Sequence, residues 1–197
     1  MKPLNIESAK ELLHEHMKNQ NLRRHCYAVG KSLAAYFDYY QEHGQGTGLL
    51  TKEQWEITGI LHDADWEETT NNPEQHTLRL MEWLRDYEVP QDMINVFRSH
   101  NTKITNLRKP ESLIEWTLEC CDELTGFIVA VALVMPEKKL KDVTVERVLN
   151  KFKQKEFAKA VDREQIAQCE QFLGIEVSEF VEVTLKAMQE NHELLGL

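Results

Sequence analysis

The sequence predicts an all-α fold. Apolar residues recur along most of the chain with the 3.6-residue period of an amphipathic helix, and no segment alternates convincingly as a strand. The longest apolar run, Leu124 to Met135, is too short to cross a bilayer and reads as the buried part of a core helix.

Helices are predicted, with soft ends, over residues 5–18, 21–42, 51–64, 73–88, 91–101, 112–135, 142–155, 162–173 and 177–195. In 21–42, spacing of three and four puts His25 on a face with Leu22 and Val29. Gln45-Gly46-Thr47-Gly48 is a flexible connector, and it lacks the GxxxxGK[ST] pattern of a phosphate loop. In 51–64, His62 lies with Trp55, Thr58 and Gly59. Asn72 as N-cap, Pro73 at the first helical position and Gln75 three residues past the cap predict a capping-box start for 73–88. That helix carries the stripe His76, Leu80, Trp83, Leu84, Tyr87, and in 91–101 the stripe Met93, Val96, Phe97 ends at His100. Segment 112–135 is the most hydrophobic, and in it Asp122 shares a face with Leu118, Thr125, Gly126 and Val129. No internal repeat is evident.

A chain of 197 residues can form one sizeable core, so a single domain over 1–197 is expected. Hydrophobic content of 42% and charged content of 28% describe an ordinary globular protein. Met1-Lys2-Pro3-Leu4-Asn5 lacks the apolar centre of a signal peptide, so a cytoplasmic protein without a membrane partner is expected. Cys26, Cys120, Cys121 and Cys169 show no CxxC spacing and read as reduced, buried hydrophobes.

A net charge of −10 argues against bulk nucleic-acid binding, which depends on cationic neutralisation of phosphates. One segment departs from the trend: Lys138 to Arg163 holds nine basic residues against four acidic ones, a local +5 that leaves −15 for the rest. It reads either as a solvated helix face or as an anion-attracting rim beside a site, with Lys151, Lys153, Lys155 and Arg163 as candidate phosphate contacts.

His25, His62, Asp63, His76, His100 and Asp122 carry the chemistry. A lone inward histidine is more often a hydrogen-bonded core residue than a ligand. Four inward histidines from four helices plus two aspartates would leave many buried polar groups to satisfy, and a shared metal centre satisfies them together. His14, His16, His43 and His192 lie on charge-rich segments and read as surface residues.

The order His25, His62-Asp63, His76, His100, Asp122 in an all-helical chain resembles the HD superfamily of metal-dependent phosphohydrolases, whose signature is a first His, an adjacent His-Asp and a distal Asp. The surrounding residues are similar too: Leu22-Arg23-Arg24-His25 with Ala28-Val29, Gly59-Ile60-Leu61-His62-Asp63, and Cys121-Asp122-Glu123-Leu124-Thr125-Gly126. His62-Asp63-Ala64-Asp65-Trp66-Glu67, with Lys153-Gln154-Lys155-Glu156-Phe157-Ala158, resembles a bacterial subgroup with HD-x-D-aromatic-E. The likeness spans residues 20–135, which it marks as the HD metal-binding core, a helical bundle, with 136–197 as a C-terminal helical extension packed on it.

The resemblance implies that His25, His62, Asp63 and Asp122 ligate one divalent metal, that Asp63 bridges to a second, and that His76 and His100 ligate that second ion. Some two-metal relatives have a His-His pair where this chain has His100-Asn101, which implies a more weakly held second ion. Nitrogen with carboxylate and no thiolate suits Fe, Mn, Ni, Co, Zn or Mg. The activity implied is hydrolysis of a phosphomonoester or phosphodiester, in a small metabolite or nucleotide, by metal-activated water. Asp63 would orient or deprotonate that water, and Glu67 or Asp65 would shuttle protons, unless Asp65, Glu67 and Glu68 form a solvated loop. Two alternatives share the ligand frame: a di-iron HD-type oxygenase, and a non-catalytic binding or regulatory HD protein. The oligomeric state is left open.

Overall fold

Local capping decides where the first helices begin. In the computed structural model, which describes residues 1–197, the Asn5 side chain accepts from the Ser8 amide and starts α1 (Ile6–His16). Asn19 caps α2 (Gln20–Glu42), and a Thr51/Gln54 capping box opens α3 (Lys52–Leu61). The chain continues through α4 (Trp66–Thr69), α5 (Leu78–Trp83), α6 (Gln91–His100), α7 (Thr102–Thr105), α8 (Leu113–Leu133), α9 (Val145–Phe152), α10 (Arg163–Phe172), α11 (Val177–Glu190) and α12 (His192–Leu195). The all-α class predicted from periodicity is observed. The only strand pairing is a parallel bridge of Lys2–Pro3 with Tyr87–Glu88, too short to show alternation.

α2 and α8 form the centre. α3, α11 and α12 pack on α2, while α6, α9, α10 and α11 pack on α8. A single cluster of 43 buried hydrophobic residues runs from Ala9 to Leu195, so residues 136–197 share the core of residues 20–135. Tyr36 shows how the C-terminal part is keyed in: its ring stacks on Phe180 at 4.6 Å and its hydroxyl donates to the Phe180 carbonyl at 2.7 Å, satisfying a fully buried polar group. Cys26, Cys120, Cys121 and Cys169 are free and buried, and burial pushes every thiol up, away from the thiolate. No helix is long and apolar enough to cross a membrane.

The closest helix crossing is glycine on glycine. A Cβ on Gly59 of α3 would lie 2.6 Å from both Cα and N of Gly30 in α2. These two helices therefore meet backbone to backbone, which sets the separation of His25 and His62, each less than two turns from the crossing.

Three predicted helices are interrupted. Helix 51–64 ends at Leu61, and turns from His62 to Asp65 lead into α4. Segment 73–88 is a 3-10 turn at Pro73–Gln75, then α5, then a second 3-10 turn at Leu84–Asp86. The predicted Asn72 capping box does not form, because Asn72 makes no side-chain cap hydrogen bond. A distant residue caps α5 instead: Asp65 Oδ2 accepts from the Leu80 amide at 3.0 Å, in the first turn of the helix. Helix 177–195 likewise breaks at Asn191 into α11 and α12.

Candidate metal centre

The six predicted ligands arrive from five places. His25 comes from α2, His62 and Asp63 from the turn after α3, His76 from the turn before α5, His100 from the last position of α6, and Asp122 from the middle of α8. They form two groups, His25, His62, Asp63 and Asp122, and then Asp63, His76 and His100, with ligand atoms in each within 4.8 Å of one another. The His25 Nε2 lies 2.8 Å from Asp122 Oδ1.

Asp63 belongs to both groups because its two oxygens face opposite ways. Oδ2 is 3.7 Å from His25 Nε2 and 3.6 Å from His62 Nε2, while Oδ1 is 3.3 Å from Nε2 of both His76 and His100.

In all four rings Nε2 faces these carboxylates, and each Nδ1 lies against an oxygen outside the cluster. His62 Nδ1 donates to the Gly59 carbonyl at 2.7 Å, and His76 Nδ1 to Asp65 at 2.7 Å. His100 Nδ1 lies 3.4 Å from Glu119. His25 Nδ1 lies 3.3 Å from the Thr125 hydroxyl, which donates to the Asp122 carbonyl. The hydrogen bonds of His62 and His76 fix ring orientation and the tautomer that presents an Nε2 lone pair, whereas His100 Nδ1 and Glu119 Oε1 form no hydrogen bond. The Nε2 of His62 is fully buried and has no hydrogen-bond partner. A buried imidazole nitrogen without a partner is costly in a protein interior, and a cation at the convergence point relieves that cost. Donor set and geometry thus suit a metal ion.

Electrostatics point the same way. Burial opposes ionisation of Asp63 and Asp122, yet the surrounding imidazoles outweigh it and hold both carboxyls well below the usual range. Burial likewise opposes protonation of His25, His76 and His100, but the carboxylates beside them raise all three. Without metal, protons would take the place of the cation. A raised histidine stabilises the fold below its ordinary value of 6.5 and loses that contribution as pH climbs through the raised value. A depressed aspartate contributes above its ordinary 3.8 and loses it as pH falls. Metal-stripped protein should therefore draw most stability from the cluster between pH 3.8 and 6.5. In thermal melts across pH, the Tm difference from an Asp122→Asn variant should be largest in that window and shrink on either side.

Several other candidates sit elsewhere. Glu67 is exposed, and its Oε2 accepts from the Lys18 and Asn19 amides at 2.7 and 2.9 Å, so it holds the entry to α2 rather than joining the cluster. Asp65 is fully buried, so the solvated-loop alternative fails for it, and its bonds to His76 and Leu80 make it a positioning residue. Arg163 donates to the carbonyls of Phe152, Gln154, Phe157, Ala158 and Val161. Its guanidinium is thereby committed to holding the loop after α9, not free for phosphate. Lys151 lies over the Phe157 ring, and Lys153 and Lys155 are exposed; none of the three lines the cavity next to His25.

Sequence reasoning missed Asn101. Its side-chain amide donates to the carbonyls of Pro73 and His76 at 2.8 and 3.1 Å, tying the His76 turn to the end of α6. Thr77, next to His76, has φ of 68°, an unusual conformation for a β-branched residue that this clamp and the Asp65 bonds hold in place. Asn101, the position after His100, thus serves the cluster through the backbone.

The chain is a helical protein with a His/Asp cluster able to hold metal, compatible with an HD-type domain. Comparison with protein-family models, curated proteins and solved structures finds no match, and the reading of the centre stands on its own geometry.

Proposed function

We propose that this protein is a metal-dependent phosphohydrolase that cleaves a phosphomonoester or phosphodiester of a small metabolite or nucleotide, using one or two divalent ions. The observation that carries the reading is the division of the Asp63 carboxylate between two histidine groups, the arrangement a bridging ligand requires. Divalent ions bound there would acidify coordinated water and neutralise charge on phosphoryl oxygens. The chain's residues supply position and access. His62 is sealed from solvent while His25 and Asp122 keep 24% and 20% side-chain exposure, so substrate approaches from the His25/Asp122 side. Asp65 and Asn101 fix His76 and its turn in the more buried half of the centre.

The test combines elemental analysis with a screen of phosphorylated metabolites under Mn, Ni or Fe loading. About one to two ions per chain and metal-dependent phosphate release support the reading. Iron-dependent oxygen uptake without phosphate release, or metal with neither activity, overturns it. Within that screen, His76→Ala or His100→Ala should lower occupancy by about one ion and leave the group of His25, His62, Asp63 and Asp122 filled. Unchanged stoichiometry and activity in both would make them core histidines.

A further inference from the structure

A cavity of about 430 Å³ has His25, alone of the six cluster residues, in its wall, beside Thr125, the residue against His25 Nδ1. Two features set it apart. No aspartate or glutamate lines it, although the chain carries a net charge of −10. The one cation in its wall is Arg24, the residue before His25, whose Nε is buried without a hydrogen-bond partner. Arg24 packs against the backbone of Gly196, where any Cβ would collide with the guanidinium. A guanidinium held against a wall, without a salt-bridge partner and lining one cavity with His25, is placed to bind an anion there.

The rest of the cavity defines what the anion is attached to. Val129, Leu133 and Leu195 form an apolar wall. Recognition of a sugar requires several free polar groups around its hydroxyls. Here Asn21 and Thr125 are the only uncharged polar side chains, and the Thr125 hydroxyl is committed to the Asp122 carbonyl and His25.

We infer that the cavity is the substrate site and that it selects phosphate esters whose organic part is compact and apolar, with Arg24 binding the phosphoryl group and Val129, Leu133 and Leu195 the organic group. The inference rests on the phosphohydrolase reading for the metal's part but concerns the cavity itself.

Binding is measured by calorimetry on full-length protein of known metal content, with phenylphosphonate, which is not hydrolysed, inorganic phosphate and glucose 6-phosphate as probes. Phenylphosphonate should bind tightest. Arg24→Ala should weaken phenylphosphonate and phosphate on the order of 10- to 100-fold, the range for a lost charge-assisted contact. Because Leu133 is 48% exposed, its variants keep the fold intact should Arg24→Ala fail to fold. Leu133→Asp should weaken both anions by like-charge repulsion, and Leu133→Ser only phenylphosphonate. Glucose 6-phosphate binding as tightly as phenylphosphonate, or wild-type affinities in folded Arg24→Ala or in Leu133→Asp, would overturn the proposal. Arg24-dependent binding to protein without metal or hydrolysis supports the cavity and removes the phosphohydrolase reading. Metal-dependent hydrolysis indifferent to Arg24 does the reverse.

Discussion

Asp63→Ala protein should emerge from purification with neither half of the centre filled. Each carboxylate oxygen serves a different histidine group, at 3.3 Å on one side and 3.6 to 3.7 Å on the other, so one truncation removes an oxygen donor from both. It also leaves the four imidazoles facing one another with Asp122 as the remaining aspartate. Removing a residue that merely supports a ligand costs roughly 10- to 100-fold in metal affinity, and losing the shared ligand should exceed the upper end, about 2.7 kcal/mol. His62→Ala should strip the first group while leaving Asp63, His76 and His100 in place. Elemental analysis after gel filtration decides the matter: full metal in Asp63→Ala would show that the cluster is not the binding site.

The second large effect is expected far from any ligand. Gly59→Ala places a methyl 2.6 Å from the Gly30 backbone and 2.8 Å from the Val29 carbonyl carbon, distances that rigid helices cannot absorb by rotating a side chain. Alanine in a helix interior gains about 1 kcal/mol over glycine. Forced separation of two packed helices costs about 1–3 kcal/mol and occasionally more. Because the clash is backbone on backbone, the penalty falls at the upper end of that range, and the net loss of about 2 kcal/mol lowers Tm by about 4–8 °C in a protein of this size. Metal affinity should fall as well, since the crossing sets how far His25 stands from His62, whose ring centroids are 5.3 Å apart. Gly126→Ala is the control: its Cβ meets nothing within 4 Å, so the same exchange should stabilise. Equal melting temperatures for Gly59→Ala and wild type would mean that the crossing is not held by close approach.

The two outcomes concern different kinds of legibility. His25, His100 and Asp122 were readable because each stands on an apolar helix stripe where a histidine or aspartate is out of place, and a period of 3.6 predicts which way it faces; the same period pointed to His62 and His76, which the fold places in turns beside their helices. Asp63 was named as the neighbour of His62 and through the resemblance, and the fold brings the donor atoms of all six together. Glu67 shows where the method fails. Its position four residues after Asp63 suggested chemistry, but sequence proximity does not say which way a turn points, and the carboxylate holds the Lys18 and Asn19 amides ahead of α2 instead. Charge density along the chain is likewise a one-dimensional quantity and does not say what Lys151 and Arg163 touch. Arg163 satisfies five carbonyls of its own loop, and Lys151 stands over Phe157.

By itself the sequence determined the helical class, the faces that turn inward and the identity of the converging side chains, because those depend on local backbone periodicity and on the cost of burying unpaired polar groups. The tertiary structure alone decided how the centre is held: Asp65 capping α5 and orienting His76 from outside that helix, Asn101 clamping the turn before it, Gly30 against Gly59 spacing His25 and His62, and Arg24 left unpaired beside His25. Each of these is a contact between residues remote in sequence or a partner withheld by packing, and such relations exist only once the chain has closed on itself.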